Sequence, residues 1–381
     1  MNVGVNARLL LHNKLEGIGW FAYQILSRMV MQRPDDHFYF FFDRPYHQDF
    51  IFGPNVTPVV LGPQARHPLL YYIWFNFKVA PQLKKRKIDV FFSPEGFTPH
   101  LTKVPKVITI HDLAYVHFPQ QIDKTNLFYY RKYQPLFARK ARSILTVSEY
   151  TRQDIIEQYH IPDEKIKVVY NGANDAYAPL SREEKQKIKE RYTSGREYFL
   201  FVGALHPRKN IINMLKAFVQ FKRRQQSGMK LVIVGRMAWM TGEIEEAKRR
   251  MPYREDVIWL GYQEVAELSK IVGAAYTLLY PSLFEGFGIP IIEAMACGVP
   301  SIVSNTSSMP EIAGSAALLC DPTDTKDIAE QMGRMYKDEA LHQLLSANCR
   351  DEIRRFDWDR SAAEVWEQIC SVQAMVNNQK K

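Results

Sequence analysis

The chain has 381 residues, a length that at roughly 100–200 residues per domain argues for two domains, each large enough to bury its own core. Hydrophobic residues make up 46% and charged residues 24% of it, a balance that excludes an intrinsically disordered chain. The net charge is +9 and uneven, with 22 basic and 14 acidic residues in 1–170 against 28 and 27 in 171–381, so the first half is the one marked for an anionic partner.

Short apolar runs alternate with helical patterns along the whole length, as in an α/β fold built on parallel sheets. In the first half strands are predicted over 2–7, 38–42, 56–61, 89–93, 106–112, 143–148 and 166–171. In the second half they are predicted over 198–203, 230–235, 257–262, 276–282, 301–305 and 316–321. Amphipathic helices begin at Asn210 and Val265. Residues 172–197, polar and holding Gly172, Pro179 and Gly195, separate the two series and read as a linker. The expected division is 1–171, a linker 172–197, 198–355 and a closing helical segment 356–381. Two such sheets would place their ligand in a cleft at the C-terminal strand ends.

Cys297, Cys320, Cys349 and Cys370 have no CxxC spacing, which argues against a disulfide framework or a zinc site. The opening MNVGVNARLL has no basic segment followed by a long apolar core, so no secretory signal is expected. The greasiest stretch, LLYYIWFNF at 69–77, is half of the roughly 18 residues that a membrane span needs. A reduced, cytoplasmic protein is expected.

The sharpest motif is PSLFEGFGIPIIEAMACGVP, 281–300. A strand ends at Pro281, a loop carries Glu285, Gly286 and Gly288, and Pro290 opens a helix that Gly298 ends. Glycines let the backbone approach a ligand, and a helix start offers amides to a diphosphate. Glu285 and Glu293, one turn into the helix, suit hydroxyl groups such as those of a sugar or a ribose; an ordinary strand-loop-helix turn with a capping acid is the competing reading. In FLFVGALHPRKN, 199–210, Arg208 and Lys209 stand at a strand end just past Gly203, where cations suit a diphosphate; a solvated basic pair in a loop is the competing reading. GIGWFA, 17–22, matches G-x-G-x-x-A and could open a dinucleotide site through Gly17 and Gly19, although Asp43 is only loosely placed as its ribose acid. His111 ends the strand KVITI. Asp357 and Asp359 spell D-x-D, a metal-binding pattern, but immediately before a helical segment, where an acid caps or opens the helix.

These segments together resemble the retaining glycosyltransferases of family 4, enzymes of the GT-B fold that move a sugar from a nucleotide diphosphate to an acceptor. The resemblance runs from residue 4 to about 330. It implies two Rossmann-like domains facing a central cleft, with a final helix crossing back to the N-terminal one. Glu285 then contacts sugar hydroxyls and Glu293 the ribose, the backbone of Phe287, Gly288 and Ile289 lies against sugar and diphosphate, and Lys209 grips the diphosphate. Many members carry arginine where this chain has Ala204, so Arg208 or Arg236 would replace that cation. The loop at Gly17 and Gly19 covers the donor phosphates, and His111 touches the transferred sugar. Catalytic roles thus fall to His111, Lys209 and Glu285, with no metal and no cofactor beyond the donor itself. Retention without a covalent nucleophile implies front-face attack.

The resulting expectation is a hexosyltransferase of cell-surface polysaccharide or glycoconjugate synthesis, with the PRKN and E-x7-E spellings favouring mannose. Its partners are a nucleotide sugar and a saccharide or lipid-linked acceptor, without nucleic acid. Residues 66–87 join an aromatic run to Lys84, Lys85, Arg86 and Lys87, which suits an anionic membrane surface on the inner leaflet; a core helix ending in a solvated charge run is the competing reading. A nucleotide-sugar epimerase of the same architecture, and an NAD-dependent oxidoreductase, are the alternatives.

Overall fold

The computed structural model describes residues 1–12, 14–15, 17–236 and 242–380. They form two units, Met1–Asn171 with Asp357–Lys381, and Gly172–Phe356.

In the first unit strands β1 (Asn2–Asn6), β2 (His37–Phe42), β3 (Val56–Val60), β4 (Val90–Ser93), β5 (Lys106–Ile110), β6 (Ser143–Thr146) and β7 (Ile166–Val168) form one sheet in the order β3-β2-β1-β4-β5-β6-β7. Every pairing is parallel. A parallel sheet is covered on both faces, and β4, β5 and β6 are accordingly buried at every position. The helix Gly17–Gln32 covers part of it, burying Phe21, Ile25, Leu26 and Met29 at helical spacing. The closing helix Trp358–Lys380 packs in the same unit: Trp358 meets Phe21 at 6.2 Å between ring centroids, and Arg28 Nε donates to Asp359 at 2.8 Å.

Residues 66–87 divide between the two readings. The helix Pro68–Ile73, a wide π turn Trp74–Val79 and the helix Ala80–Lys85 send Trp74, Phe75, Val79 and Leu83 into the core. Leu69 and Phe77 remain 62% and 57% exposed.

In the second unit β8 (Tyr198–Val202), β9 (Lys230–Val234), β10 (Val257–Gly261), β11 (Thr277–Tyr280), β12 (Ser301–Ser304) and β13 (Ala317–Cys320) form a parallel sheet ordered β10-β9-β8-β11-β12-β13. The segment expected to be a linker is a correction. It holds the helix Arg182–Thr193 and belongs to the second unit. A capping box between Ser181 and Glu184 starts that helix, and Tyr192 donates to Glu267 at 2.6 Å, tying it to the helix Val265–Ala274. Its polar face misled the composition argument.

Strand order reverses between β1 and β4 in one sheet and between β8 and β11 in the other. Such switch points open a crevice at the C-terminal strand ends.

Candidate active site

In the second unit the chain leaves β8 through Gly203, whose N–H donates to Val234 O at 2.9 Å. The neighbouring β9 exit presses against it: a Cβ at Gly235 would lie 1.8 Å from Gly203 O, and Gly235 has φ +154°. Only glycine fits there. His206 then caps a short turn, Pro207–Lys209, its Nδ1 accepting from the Arg208 amide at 3.3 Å. Asn210 ends the turn in the left-handed region, and its Nδ2 donates to Pro281 O at 2.9 Å and Pro322 O at 2.6 Å. The Leu283 amide donates to Arg208 O at 2.8 Å. The exits of β8 and β11 are thus stitched together on either side of the switch point.

This stitching brings Lys209 and Glu285 into contact. Lys209 Nζ lies 2.6 Å from Glu285 Oε1, with the side chains 15% and 9% exposed. Its stem runs over Gly203, Cε being 3.7 Å from where a Cβ would stand. Lys209 also donates to the Tyr280 hydroxyl at 2.7 Å, and that hydroxyl donates to Glu285 Oε1 at 3.0 Å. Burial opposes ionisation of Glu285, but Lys209 and then Arg208 overcome it and hold the carboxyl below its ordinary range. The Arg208 guanidinium sits over the Phe284 ring at 6.0 Å. Burial, then Arg208 and Lys209, pull the His206 imidazole down.

Beyond Glu285 two serines brace the loop. The Glu285 amide donates to Ser307 Oγ at 3.1 Å, and Ser308 Oγ donates to Glu285 O at 2.9 Å and Phe287 O at 3.0 Å. Phe287 is buried against Phe356. Gly288 then turns at φ +103° to open the helix Ile289–Ala296, with Ile289 and Pro290 in its first turn. The first amides of a helix have no intrahelical acceptor and suit an anion. Glu293 lies in that helix, half-buried, and its partner is the buried Tyr177. Desolvation pushes the Glu293 carboxyl up to about 7 against that hydrogen bond.

Of the two cations offered in place of one at Ala204, Arg208 stands beside Glu285, whereas Arg236 lies over the Tyr262 ring at 5.7 Å.

Gly17, Gly19 and His111 belong to the first unit. The glycines correct the expectation of a loop: both lie in the first turn of Gly17–Gln32, which the apolar face of that segment extends to its start. A Cβ at Gly19 would come 3.1 Å from Leu9 O. Asp43, the acid that a dinucleotide site would need for ribose, is buried and committed to Arg44 and to the Ala65 amide at 2.8 Å. His111 follows β5, its Nε2 2.8 Å from Pro94 O and its ring edge-on to Phe21. A carbonyl only accepts, so the proton is on Nε2 and Nδ1 carries the lone pair; burial pulls the imidazole pKa down and keeps it neutral.

Sequence reasoning missed several members of these strand ends. Tyr177, Asn210, Tyr280, Ser307 and Ser308 are residues of ordinary type whose partners are remote in sequence. At the first unit's switch point Arg8 pairs with Glu95 at 2.5 Å, both buried, while Asn6 Nδ2 donates to Glu95 at 2.7 Å and to Ser93 at 3.0 Å. The D-x-D pair is structural: Asp357 accepts from the Arg360 amide at 2.8 Å, and Asp359 pairs with Arg28. Among the described residues, metal-ligand spacing occurs at His12, His47 and Asp49, all exposed in the first unit.

Comparison with known proteins finds relatives for both halves of the chain. Residues 16–177 match the family described as Glycosyltransferase Family 4, and residues 182–352 match Glycosyl transferases group 1. The chain is 27% identical over 361 residues to O-antigen chain mannosyltransferase B of Escherichia coli, covering 92% of this chain and 94% of that protein. It is 29% identical to O-antigen chain mannosyltransferase RfbU of Salmonella typhimurium, covering 80% of each. The crystal structure of Anabaena HepE in complex with UDP-glucose superposes with a TM-score of 0.76 at 18% identity, over 97% of this chain and all of that one.

Proposed function

The chain belongs to the glycosyltransferases that join a family 4 half to a group 1 half, and from that premise we propose that its second unit binds a nucleotide-diphosphate sugar at the ends of β8 and β11. It is a hexosyltransferase of the GT-B architecture. The observation that carries the donor site is the Lys209–Glu285 pair at the switch point, immediately before a helix N-terminus opened by Gly288.

In this reading Lys209 and Arg208 take the charge of the departing diphosphate, and the helix start at Ile289 receives it with them. Glu285 accepts hydrogen bonds from sugar hydroxyls and Glu293 from the ribose. His111, protonated on Nε2, offers Nδ1 to a hydroxyl of the transferred sugar. The acceptor hydroxyl attacks from the face that the diphosphate leaves: an acceptor O–C1 bond forms, the C1–O bond to the β-phosphate breaks, and the hydroxyl proton passes to that phosphate. No metal or other cofactor is required. The mannosyltransferase relatives favour mannose as the sugar and a polysaccharide intermediate, saccharide or lipid-linked, as the acceptor.

A thermal-shift panel of UDP, GDP and ADP identifies the donor class, because a ligand bound to the native state raises its melting temperature. Lys209→Ala and Glu285→Ala should each lower turnover on the order of 100-fold. Parent rates in both variants would show the site to be wrongly placed.

The first unit is proposed to dock peripherally on an anionic inner leaflet through 66–87. Exposed Leu69 and Phe77 beside exposed Lys78, Lys84, Lys85 and Lys87 support this. No described helix is long and apolar enough to cross a membrane. Sedimentation with phosphatidylglycerol vesicles tests the docking: absence of binding at low salt, or binding indifferent to neutralising Lys84–Lys87, excludes it.

A further inference from the structure

Strand β11 ends on Tyr280, 1% exposed, with its ring stacked on Phe201 of β8 at 5.9 Å between centroids. Phenylalanine would fill that place in the sheet. A buried phenol must instead find partners for its hydroxyl, and this one meets two of opposite charge, with the Ser282 side chain beside it. Lys209 Nζ is at 2.7 Å and Glu285 Oε1 at 3.0 Å, and the triangle closes with the 2.6 Å contact between lysine and carboxylate. Proton placement is determined: an ammonium only donates and a carboxylate only accepts, so the phenol oxygen receives one bond and gives one. Burial, and then Glu285, hold the phenol well above its ordinary pKa, so it keeps the proton it donates.

We infer that Tyr280 is a positioning residue of the donor site, its hydroxyl holding Lys209 and Glu285 in register so that cation and carboxylate meet a sugar diphosphate as one unit. The inference rests on the donor-site reading and adds a residue to it. Lysine is a long side chain with several rotamers. A second fixed contact narrows its range before the diphosphate arrives. When the diphosphate draws on the ammonium, the phenol still donates to Glu285 and keeps the carboxylate aimed. The Phe201 stack is made by the ring and does not require the hydroxyl.

The test is calorimetric titration of GDP, UDP and ADP into the full chain, as wild type, Tyr280→Phe, Lys209→Met and the double variant. The nucleotide that wild type binds should bind Tyr280→Phe about tenfold more weakly, the effect of one hydrogen bond to a charged group. In the Lys209→Met background the same change should alter affinity by less than about twofold, because the two residues act together. With a suitable acceptor, Tyr280→Phe should raise the KM for the donor sugar and leave the acceptor KM unchanged, a split that general destabilisation does not produce. Equal losses in both backgrounds, or wild-type affinity in Tyr280→Phe, overturn the inference while leaving the donor site standing. Failure of wild type to bind any of the three overturns the donor-site reading itself. Tyr280→Met, flexible enough to fill the same space, provides the measurement should Tyr280→Phe not fold.

Discussion

Replacing Lys209 by methionine strands Glu285 in the second unit with its main counter-charge gone. The two side chains are 15% and 9% exposed and 2.6 Å apart, and removing one partner of such a pair costs about 3–5 kcal/mol. Arg208 and the Tyr280 hydroxyl still face the carboxylate, so the lower end, about 3 kcal/mol, is expected. The pH dependence follows from the same group. In wild type the Glu285 pKa is held below its ordinary 4.5. Its stabilising contribution is present above that value and is lost as pH falls through the folded pKa. In Lys209→Met, burial acts with less opposition and raises the carboxyl, so the penalty is full at high pH and fades as Glu285 takes up a proton. The gap between wild type and variant should be widest at about pH 8 and narrow toward about pH 5. Urea titrations read by hydrogen exchange in peptides spanning β8 and β11 report the second unit alone. Lys209→Met/Glu285→Gln, with no charge left to strand, should recover most of the loss at the higher pH. A gap that does not change with pH, or a double variant no more stable than the single, refutes the reasoning.

Glu293 predicts the opposite sign. Its pKa is raised to about 7 by burial, so ionisation penalises the native state increasingly from its ordinary 4.5 up to about 7. Glu293→Gln should therefore stabilise the protein by about 1–3 kcal/mol at pH 8 and flatten its stability profile, as denaturant melts at several pH values would register. Gly235→Ala drives a Cβ to 1.8 Å from Gly203 O and should cost at least ~3 kcal/mol by thermal melting, through overlap and strain together. Gly242→Ala, whose Cβ meets nothing within 4 Å, should stay within about 0.5 kcal/mol. Asp359→Asn removes the charge that pairs with Arg28; on the proposal that no metal is required, turnover of that variant, and of wild type in EDTA, should stay within about twofold of the untreated wild type, the proportion expected of an exposed ion pair.

What was legible in the sequence was whatever is written in contiguous residues. Each of the thirteen apolar runs became a strand, because a parallel sheet buried on both faces demands unbroken apolar segments. The runs overshot by one to three residues where a Gly, Pro or polar residue bends the chain, as at Gly203 and Pro281. Lys209 and Glu285 stand out locally, one beside a glycine turn and the other before a helix start. The hydroxyl between them does not, since Tyr280 reads as one more aromatic in an apolar strand and its lysine lies 71 residues away. Arg8 and Glu95 escaped for the same reason across 87 residues. The helix Arg182–Thr193 was legible and overlooked: Ser181 and Glu184 spell a capping box, and its polar face obscured the buried Ile188.

The charge asymmetry survives a division by folded unit rather than by sequence half. Met1–Asn171 with Asp357–Lys381 holds 25 basic and 18 acidic residues, and Gly172–Phe356 holds 25 and 23. The unit proposed to bind the anionic donor is thus the nearly neutral one, its site served by Arg208 and Lys209. In the other unit cations crowd one another. Lys106 Nζ donates to Thr102 O at 3.1 Å and Val104 O at 2.8 Å, and burial, with Lys140 and Arg142, pulls its pKa down to about 8. Burial and Arg142 lower Lys165, and burial, Lys140 and Lys106 lower His100. The uneven charge supports the anionic partner proposed for the first unit. Neutralising 84–87 should therefore weaken vesicle binding and flatten its salt dependence.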